Sequence, residues 1–207
     1  MWVRFAKSSR RGELPADVSA WFDGKDFTTD WVSSKVGNWL PALAHLRDRQ
    51  SEILEVGTYE GRSAIAFLSY LPQAEVTCID TFQIGNNPGL EERFDRNVAE
   101  FGKRVVKIKD RAANALDKLR RDGASYDAIY LDAGKGRDWV FALSALAWPL
   151  LRIDGVLIWD DLAWGKDRPS AERPAEGIRL FQMAFANCLD VIHEDEQLIA
   201  RKIAAWP

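Results

Sequence analysis

Aspartates stand at the ends of two apolar segments that are typical of buried strands. Asp132 follows Ala128-Ile129-Tyr130-Leu131, and Asp160 and Asp161 follow Val156-Leu157-Ile158-Trp159. If the two strands are parallel neighbours, their carboxyl ends share one crevice, where three carboxylates would repel one another unless a cation balanced them. Hard oxygen ligands suit Mg²⁺ or another divalent cation. The sequence therefore predicts a metal site formed by Asp132, Asp160 and Asp161.

Two observations bear on that site. Successive strand residues point to opposite faces, so Asp160 and Asp161 can converge only if the strand has already broken into a turn there. Without convergence, the aspartates would be solvated or capping residues. Lys135 lies three residues after Asp132, within Gly134-Lys135-Gly136. It could take a proton from a hydroxyl if burial and a nearby metal lowered its pKa, or it could be a solvated surface lysine. Asp132 and Lys135 are the catalytic candidates.

A strand, a tight turn and a helix start are combined in residues 53–68. The segment Ile53-Leu54-Glu55-Val56-Gly57-Thr58-Tyr59-Glu60-Gly61-Arg62-Ser63 leads into a helical pattern. An α/β sheet binds nucleotide-like ligands at such a crossing. The G-x-G-x-x-G spacing of dinucleotide sites is absent, and an acidic Glu55 suits a cationic amino-acid group. We therefore predict S-adenosylmethionine (SAM) as the ligand, and a nicotinamide-dependent oxidoreductase is disfavoured. The candidate contacts in this turn are Glu55, Gly57, Thr58, Tyr59, Gly61 and Ser63. Asp132, at the end of a later strand, is a further candidate contact for SAM.

The next two strand ends offer further contacts for a nucleoside. Asp80 and Thr81 end the second strand, and an acidic side chain there can accept both ribose hydroxyls. Asp80 could instead cap the loop. Arg111 and Ala112 follow the third strand, and their backbone could support adenine, although Asp110 could equally be the N-cap of the next helix.

Strands and helices alternate along most of the chain, which predicts an α/β fold with a parallel sheet. The final two strands face each other across Glu194-Asp195-Glu196 and predict a hairpin at the far edge. The predicted strands are Ile53–Gly57, Glu75–Thr81, Arg104–Lys109, Tyr126–Ala133, Gly155–Asp160, Leu189–His193 and Gln197–Ile203. The predicted helices are Arg62–Leu71, Leu90–Phe101, Ala112–Asp122, Asp138–Leu151 and Gly177–Asn187.

The predicted organisation is a single domain over residues 1–207. It comprises an N-terminal arm over 1–25, a helix over 28–49 and a Rossmann-like core over 53–203. Apolar residues recur at helical spacing through the helix, which Asp30 or Thr29 could cap and Pro41 could kink.

Composition narrows the possible partners. A net charge of −3 gives no broad basic surface, so nucleic acid is not expected as a partner. No apolar run reaches the ~18 residues that span a bilayer, and the N-terminus lacks the apolar region of a secretory signal. Cys78 and Cys188 are far apart in apolar contexts, which predicts buried thiols in a reducing compartment, the cytoplasm.

The motifs at the strand ends together resemble those of class I SAM-dependent methyltransferases, in their small O-methyltransferase-like branch. Residues 55–63 are similar to the first SAM motif of catechol-type enzymes, and Asp132 with Asp160-Asp161 resembles their metal triad. The catechol type has Asp-Asn as the last pair, whereas a second acidic residue is found in macrocin-type sugar O-methyltransferases. That branch has a histidine where this chain has Lys135, and a lysine there is typical of the catechol type.

The resemblance implies a seven-stranded, doubly wound Rossmann-like sheet with helices on both faces and an antiparallel last strand. It implies cation-assisted methyl transfer from SAM to a hydroxyl oxygen of a small molecule, a sugar or an aromatic, and a possible homodimer. Trp139, Trp164 and the tryptophans of the first forty residues could stack on such a ring or pack against a second subunit. The alternative is a protein of this fold that binds SAM without transferring the methyl group, as a partner or regulatory subunit.

Overall fold

The computed structural model describes residues 18–84 and 87–205 of the chain. Most of the N-terminal arm predicted over residues 1–25 lies outside the described residues. In the described part, seven strands alternate with helices. The strands are β1 (Ser51–Val56), β2 (Ala74–Asp80), β3 (Val105–Lys109), β4 (Tyr126–Leu131), β5 (Leu151–Trp159), β6 (Leu189–Glu194) and β7 (Leu198–Lys202).

The α-helices flank the sheet, and all but the first match the predicted segments within a few residues at each end. They are α1 (Val36–Trp39), α2 (Arg62–Tyr70), α3 (Leu90–Val98), α4 (Ala112–Arg121), α5 (Arg137–Ala147) and α6 (Pro174–Ala184). Helix α6 begins three residues before the predicted start, because the fixed φ of a proline suits the first helical position.

The strand order is β3-β2-β1-β4-β5-β7-β6, which confirms the predicted fold class. Strands β1 to β5 pair in parallel, and β7 lies antiparallel between β5 and β6. Val56 is level with Ile79 and Leu131, and Leu131 is level with Trp159. The residues that follow these four positions therefore emerge at one edge of the sheet.

Two apolar cores cover the two faces of the sheet. Alternate strand residues belong to different cores: Tyr130 and Ile158 pack on one side, and Leu131 and Trp159 on the other. This follows from the two-residue period of a strand, and coverage on both faces explains why these strands are continuously apolar. Both cysteines are buried free thiols, as predicted.

The N-terminal segment differs from the continuous helix predicted over residues 28–49. Only α1 is α-helical, and it continues as a 3₁₀ helix over Leu40–Leu46 with a proline in its first turn. Before α1, the Asp30 carboxylate accepts the backbone N–H groups of Val32 and Ser33 at 3.1 and 2.9 Å. An aspartate that binds nearby N–H groups stabilises a turn at the expense of helix. The apolar positions were identified correctly, but the helix length was wrong.

Helix α6 provides a matched pair of substitutions that tests how it packs. Phe181 is fully buried, and its ring stacks on Phe185 with centroids 4.1 Å apart, whereas Met183 is 77% exposed in the same helix. We expect Phe181→Ala to lower the free energy of unfolding by about 3–5 kcal/mol. Met183→Ala should change it by less than about 0.5 kcal/mol. Denaturant unfolding measures both, and equal effects would contradict the described packing.

Candidate active site

The turn between β1 and α2 depends on two glycines with positive φ. Gly57 has φ +94°, and a Cβ atom there would lie 2.4 Å from the backbone oxygen of Asp132. Gly61 has φ +85°, and its Cβ would lie 3.0 Å from the Phe94 ring. Only glycine fits such close approaches. The ends of β1 and β4 therefore touch through their backbones, which brings the predicted SAM turn directly against Asp132.

Asp80 fixes the other side of this turn. Its carboxylate accepts the backbone N–H groups of Tyr59, at 2.9 Å, and of Phe82, at 2.7 Å. Tyr59 has φ +50°, a left-handed conformation that is costly for a bulky residue and is held here by that hydrogen bond. Each Asp80 oxygen keeps a further lone pair, so the geometry leaves acceptors for two hydroxyl groups.

The candidate contacts for adenine emerge beside Asp80. Asp80 pairs with Lys109 across β2 and β3, and the Asp110 N–H donates to the Asp80 backbone oxygen at 3.1 Å. Thr81 is partly buried, Arg111 is exposed, and Ala112 begins α4. The structure therefore brings Thr81, Arg111 and Ala112 to the edge that also carries the glycine turn.

Glu55 lies underneath the turn and is fully buried. Its carboxyl group accepts the hydroxyl of Thr58 at 2.6 Å and the hydroxyl of Ser63, and the Cys78 thiol lies 3.7 Å away. Burial raises the pKa of Glu55 to about 7, although the bonds from Ser63 and Thr58 oppose the shift. These three predicted ligand contacts form one buried group that shapes the turn from below.

The three aspartates converge as predicted. Strand β5 ends at Trp159, and the Asp160 N–H donates to the Leu131 backbone oxygen at 3.1 Å. That hydrogen bond extends the β4–β5 pairing by one residue, but the chain bends at Asp160. The strand has therefore ended before Asp161, the condition under which both side chains can face one crevice. One carboxylate oxygen from each of Asp132, Asp160 and Asp161 lies within 4.8 Å of the others.

Lys135 bridges two of these carboxylates. Its Nζ is 2.9 Å from Asp132 Oδ1 and also contacts Asp161 Oδ2. Burial alone would lower the pKa of Lys135, but the charges of Asp132 and Asp161 outweigh burial and raise it well above its ordinary value. Burial and the Asp160 charge raise the pKa of Asp132. Lys135 is thus an ammonium ion in this geometry, and it can accept a proton only after these ion pairs are relieved.

Three partners of Asp160 were missed by sequence reasoning. Tyr130 and Gln197 donate to Oδ1 at 2.7 and 2.6 Å, and the Lys35 Nζ lies 2.6 Å from Oδ2. Tyr130 could have been found, because it lies two residues before Asp132 on an apolar strand. Lys35 and Gln197 come from distant parts of the chain, and no local pattern marks them.

Three partly exposed tryptophans contact residues of the glycine turn or of the Lys135 loop. Trp31 packs on the Tyr59 ring at 5.1 Å, Trp164 lies 5.9 Å from Lys135 Nζ, and Trp139 contacts the backbone at Gly134. Their exposed fractions are 53%, 37% and 45% respectively. Trp139 and Trp164 thus leave aromatic surface beside the loop that carries Lys135, and Trp31 leaves it beside the glycine turn.

A divalent cation fits the donor set chemically. Three carboxylates provide the hard oxygen ligands that Mg²⁺ prefers. In the geometry described, Lys35 and Lys135 supply the positive charge instead. A metal ion would have to displace at least one ammonium group from these oxygens, since like charges cannot share them.

Comparison with known proteins then decides the family. A sequence profile described as a methyltransferase domain matches residues 54–162, more than half of the chain. The chain belongs to this family. With its fold and the glycine turn, it is a class I SAM-dependent methyltransferase, similar to O-methyltransferases. Among the residues that the structure describes, no helix is both long and apolar enough to cross a lipid bilayer.

Solved structures share this fold. TomG, an O-methyltransferase of tomaymycin synthesis from Streptomyces achromogenes in complex with SAM, is 26% identical over 79% of each chain, with a TM-score of 0.60. A Klebsiella pneumoniae protein for which O-methyltransferase activity has been suggested is 20% identical over 92% of each chain, with a TM-score of 0.66. MycE, a methyltransferase of the mycinamycin biosynthetic pathway in complex with Mg and SAH, is 17% identical, with a TM-score of 0.63. That match covers 89% of this chain, which spans about half (53%) of the MycE chain.

The close approach of Gly57 to Asp132 predicts that adding a single methyl group at Gly57 lowers the free energy of unfolding. Gly123 is the matched control, because it has φ +73° but would have nothing within 4 Å of an added Cβ. We expect Gly123→Ala to cost roughly 1–2 kcal/mol of unfolding free energy, from the left-handed backbone alone. Gly57→Ala should cost about 1–3 kcal/mol more, from the clash with Asp132, and should also weaken SAM binding. Equal costs and equal SAM affinity, measured by unfolding and calorimetry, would contradict the described contact.

The raised pKa of Glu55 predicts a pH-dependent stability. Between pH 4.5, its ordinary pKa, and pH 7 the folded chain keeps a proton that the unfolded chain has lost. The free energy of unfolding should therefore fall as the pH rises through this window, and the shift corresponds to roughly 3 kcal/mol. Glu55→Gln removes the titrating carboxyl group and with it this dependence of stability on pH. The stability of the native chain relative to Glu55→Gln should drop by that amount between pH 4 and pH 8, and a constant difference would show that Glu55 titrates normally.

Proposed function

We propose that this methyltransferase transfers the methyl group of SAM to a hydroxyl oxygen of a small molecule, with a divalent cation held by Asp132, Asp160 and Asp161. One observation carries the proposal. The glycine turn lies directly against the backbone of Asp132, one of the three aspartates, since a Cβ on Gly57 would lie 2.4 Å from the Asp132 backbone oxygen. A donor in the turn and an acceptor at the carboxylates would therefore be neighbours, as methyl transfer requires.

The turn residues would bind and orient the donor, whose sulfonium supplies an electrophilic methyl group. Asp80 has lone pairs left for the ribose hydroxyls, and Thr81, Arg111 and Ala112 line the adjoining edge toward adenine. Gly57, Tyr59 and Gly61 form the floor beneath the amino-acid part. Glu55, Thr58 and Ser63 hold the shape of that floor through buried hydrogen bonds.

The carboxylates and Lys135 would prepare the acceptor. A divalent cation at Asp132, Asp160 and Asp161 would supply positive charge that acidifies a hydroxyl group beside it. Lys135 lies at the same carboxylates and would hold or receive the proton as the O–H bond breaks. The acceptor oxygen then forms its bond to carbon while the carbon–sulfur bond breaks, and the sulfur keeps the electron pair. Because Asp132 and Asp161 raise the pKa of Lys135, its role as proton acceptor requires that those charges be neutralised.

The proposed acceptor is a small molecule with a ring, either a sugar or an aromatic. Trp139 and Trp164 leave exposed aromatic surface at the loop that carries Lys135, and Trp31 leaves it at the glycine turn; flat or sugar rings stack on such surfaces. MycE has also been crystallised with Mg, SAH and mycinamycin VI, which supports a small-molecule acceptor. We also propose that residues 1–207 act as one domain, because the segment before β1 reaches the same carboxylates through Lys35.

A second candidate function is SAM binding without methyl transfer. The observation that favours it is that Lys35 and Lys135 together contact all three carboxylates and offset two of their three negative charges without a metal ion. The two candidates differ in turnover and share SAM binding.

Chelation separates these candidates. We expect excess chelator to abolish methyl transfer to hydroxyl acceptors while SAM affinity, measured by calorimetry, stays within about twofold. Asp161→Ala should lower turnover by about 100-fold or more, since it removes one of three ligands. Asp167→Ala, an exposed aspartate in the same loop, is the matched control and should leave turnover unchanged.

Turnover that persists in excess chelator would contradict the proposal that a divalent cation assists methyl transfer. SAM binding without turnover across a broad panel of hydroxyl compounds would favour the second candidate.

A further inference from the structure

Lys35 contacts the candidate active site from a distant part of the sequence, 125 residues before Asp160. It comes from the segment before α1, yet its Nζ lies 2.6 Å from Asp160 Oδ2. The Lys35 side chain is 18% exposed and that of Asp160 is 3% exposed. Breaking an ion pair this sheltered from solvent leaves a buried charge without a partner, which costs more than breaking a pair on the surface.

The other oxygen of Asp160 already has its partners. Tyr130 OH and Gln197 Nε2 both donate to Oδ1, at 2.7 and 2.6 Å. Both donors are buried and rigidly placed, one on β4 and one at the turn before β7. Oδ2 is therefore the Asp160 oxygen that remains for a cation, and the Lys35 ammonium holds it.

The segment that carries Lys35 is tied to the cofactor turn as well. Thr28 donates to Glu60 through its N–H, at 2.8 Å, and through its hydroxyl, at 2.6 Å. Glu60 lies between Gly57 and Gly61 and is 1% exposed. Arg62 at the start of α2 pairs with Asp30 at 2.8 Å. Residues 28–35 thus run from the SAM turn to Asp160, and these anchors fix where Lys35 can reach.

We propose that Lys35 is an internal counter-cation that competes with the divalent cation for Asp160 and so sets the affinity of the metal site. The inference rests on the proposed function, because it takes the three carboxylates as that site. An ammonium group and a divalent cation cannot both contact Oδ2, since their charges repel. Lys35 is accordingly a positioning residue that keeps the carboxylates balanced until the cation displaces it. Lys135 differs, because it bridges the other two carboxylates and its side chain is more exposed, at 39% against 18% for Lys35.

Manganese binding to the full chain tests this competition. The probe is Mn²⁺ alone, titrated by calorimetry or electron paramagnetic resonance at fixed ionic strength. We expect Lys35→Met to lower the Mn²⁺ dissociation constant at least tenfold. Lys35→Gln, which keeps a hydrogen-bond donor without the charge, should also bind more tightly than the native chain, whereas Lys35→Arg should stay within about threefold of it.

Lys166→Met is the matched control for loss of one positive charge nearby. Lys166 is exposed in the loop that follows Asp160-Asp161, and its removal should change the dissociation constant by less than about twofold. SAM binding by every variant shows that it is folded. Mn²⁺ affinity in both neutral Lys35 variants that equals the native value, or is weaker, would overturn the proposal.

The test keeps the two hypotheses apart. If native turnover is chelator-sensitive and the neutral variants bind Mn²⁺ no more tightly, only the role of Lys35 is wrong. If no form of the chain binds Mn²⁺ and chelator does not change native turnover, the proposed cation site is wrong. The proposed competition by Lys35 is then wrong as well.

Discussion

Repulsion among the carboxylates at one sheet edge is the constraint on which the candidate active site depends. Asp132, Asp160 and Asp161 bring their oxygens within 4.8 Å of one another, and Asp160 is almost fully buried. Such a group is unstable without positive charge. The fold supplies that charge from two directions, with Lys135 from the loop after β4 and Lys35 from the segment before α1. The same requirement makes the site a natural place for a divalent cation.

Backbone register explains why the carboxylates and the cofactor turn meet. Val56, Leu131 and Trp159 are level across three parallel strands, so the residues after them emerge together. Gly57 allows the first of these strand ends to touch the second without a side chain between them. Beneath the turn, Glu55 stabilises its shape at the cost of a buried carboxyl group whose pKa is raised to about 7. The backbone positions around Gly57 and Asp132 therefore determine how the strand ends pack and where the proposed donor and acceptor would bind.

Local pattern predicted most of the sheet, because parallel strands covered on both faces are continuously apolar. It also predicted the convergence of the aspartates, since strand ends in a parallel sheet share one edge. It failed over residues 28–49, where Asp30 favours a turn and Pro41 cannot donate a hydrogen bond, so helical spacing overstated the helix. It could not find Lys35 or Gln197, because contacts over such distances along the chain leave no local signal. Glu55 was found, but its complete burial follows from tertiary packing.

A crystal structure with S-adenosylhomocysteine and Mn²⁺ tests the central claim most directly, because it locates donor site and cation together. We expect an anomalous manganese peak bound by Asp132, Asp160 and Asp161, with the nucleoside over the Gly57–Gly61 turn and its ribose at Asp80. In that structure Lys35 Nζ should no longer contact Asp160 Oδ2. Nucleoside bound in the turn with both lysines still on the carboxylates, and manganese elsewhere or absent, would contradict the claim.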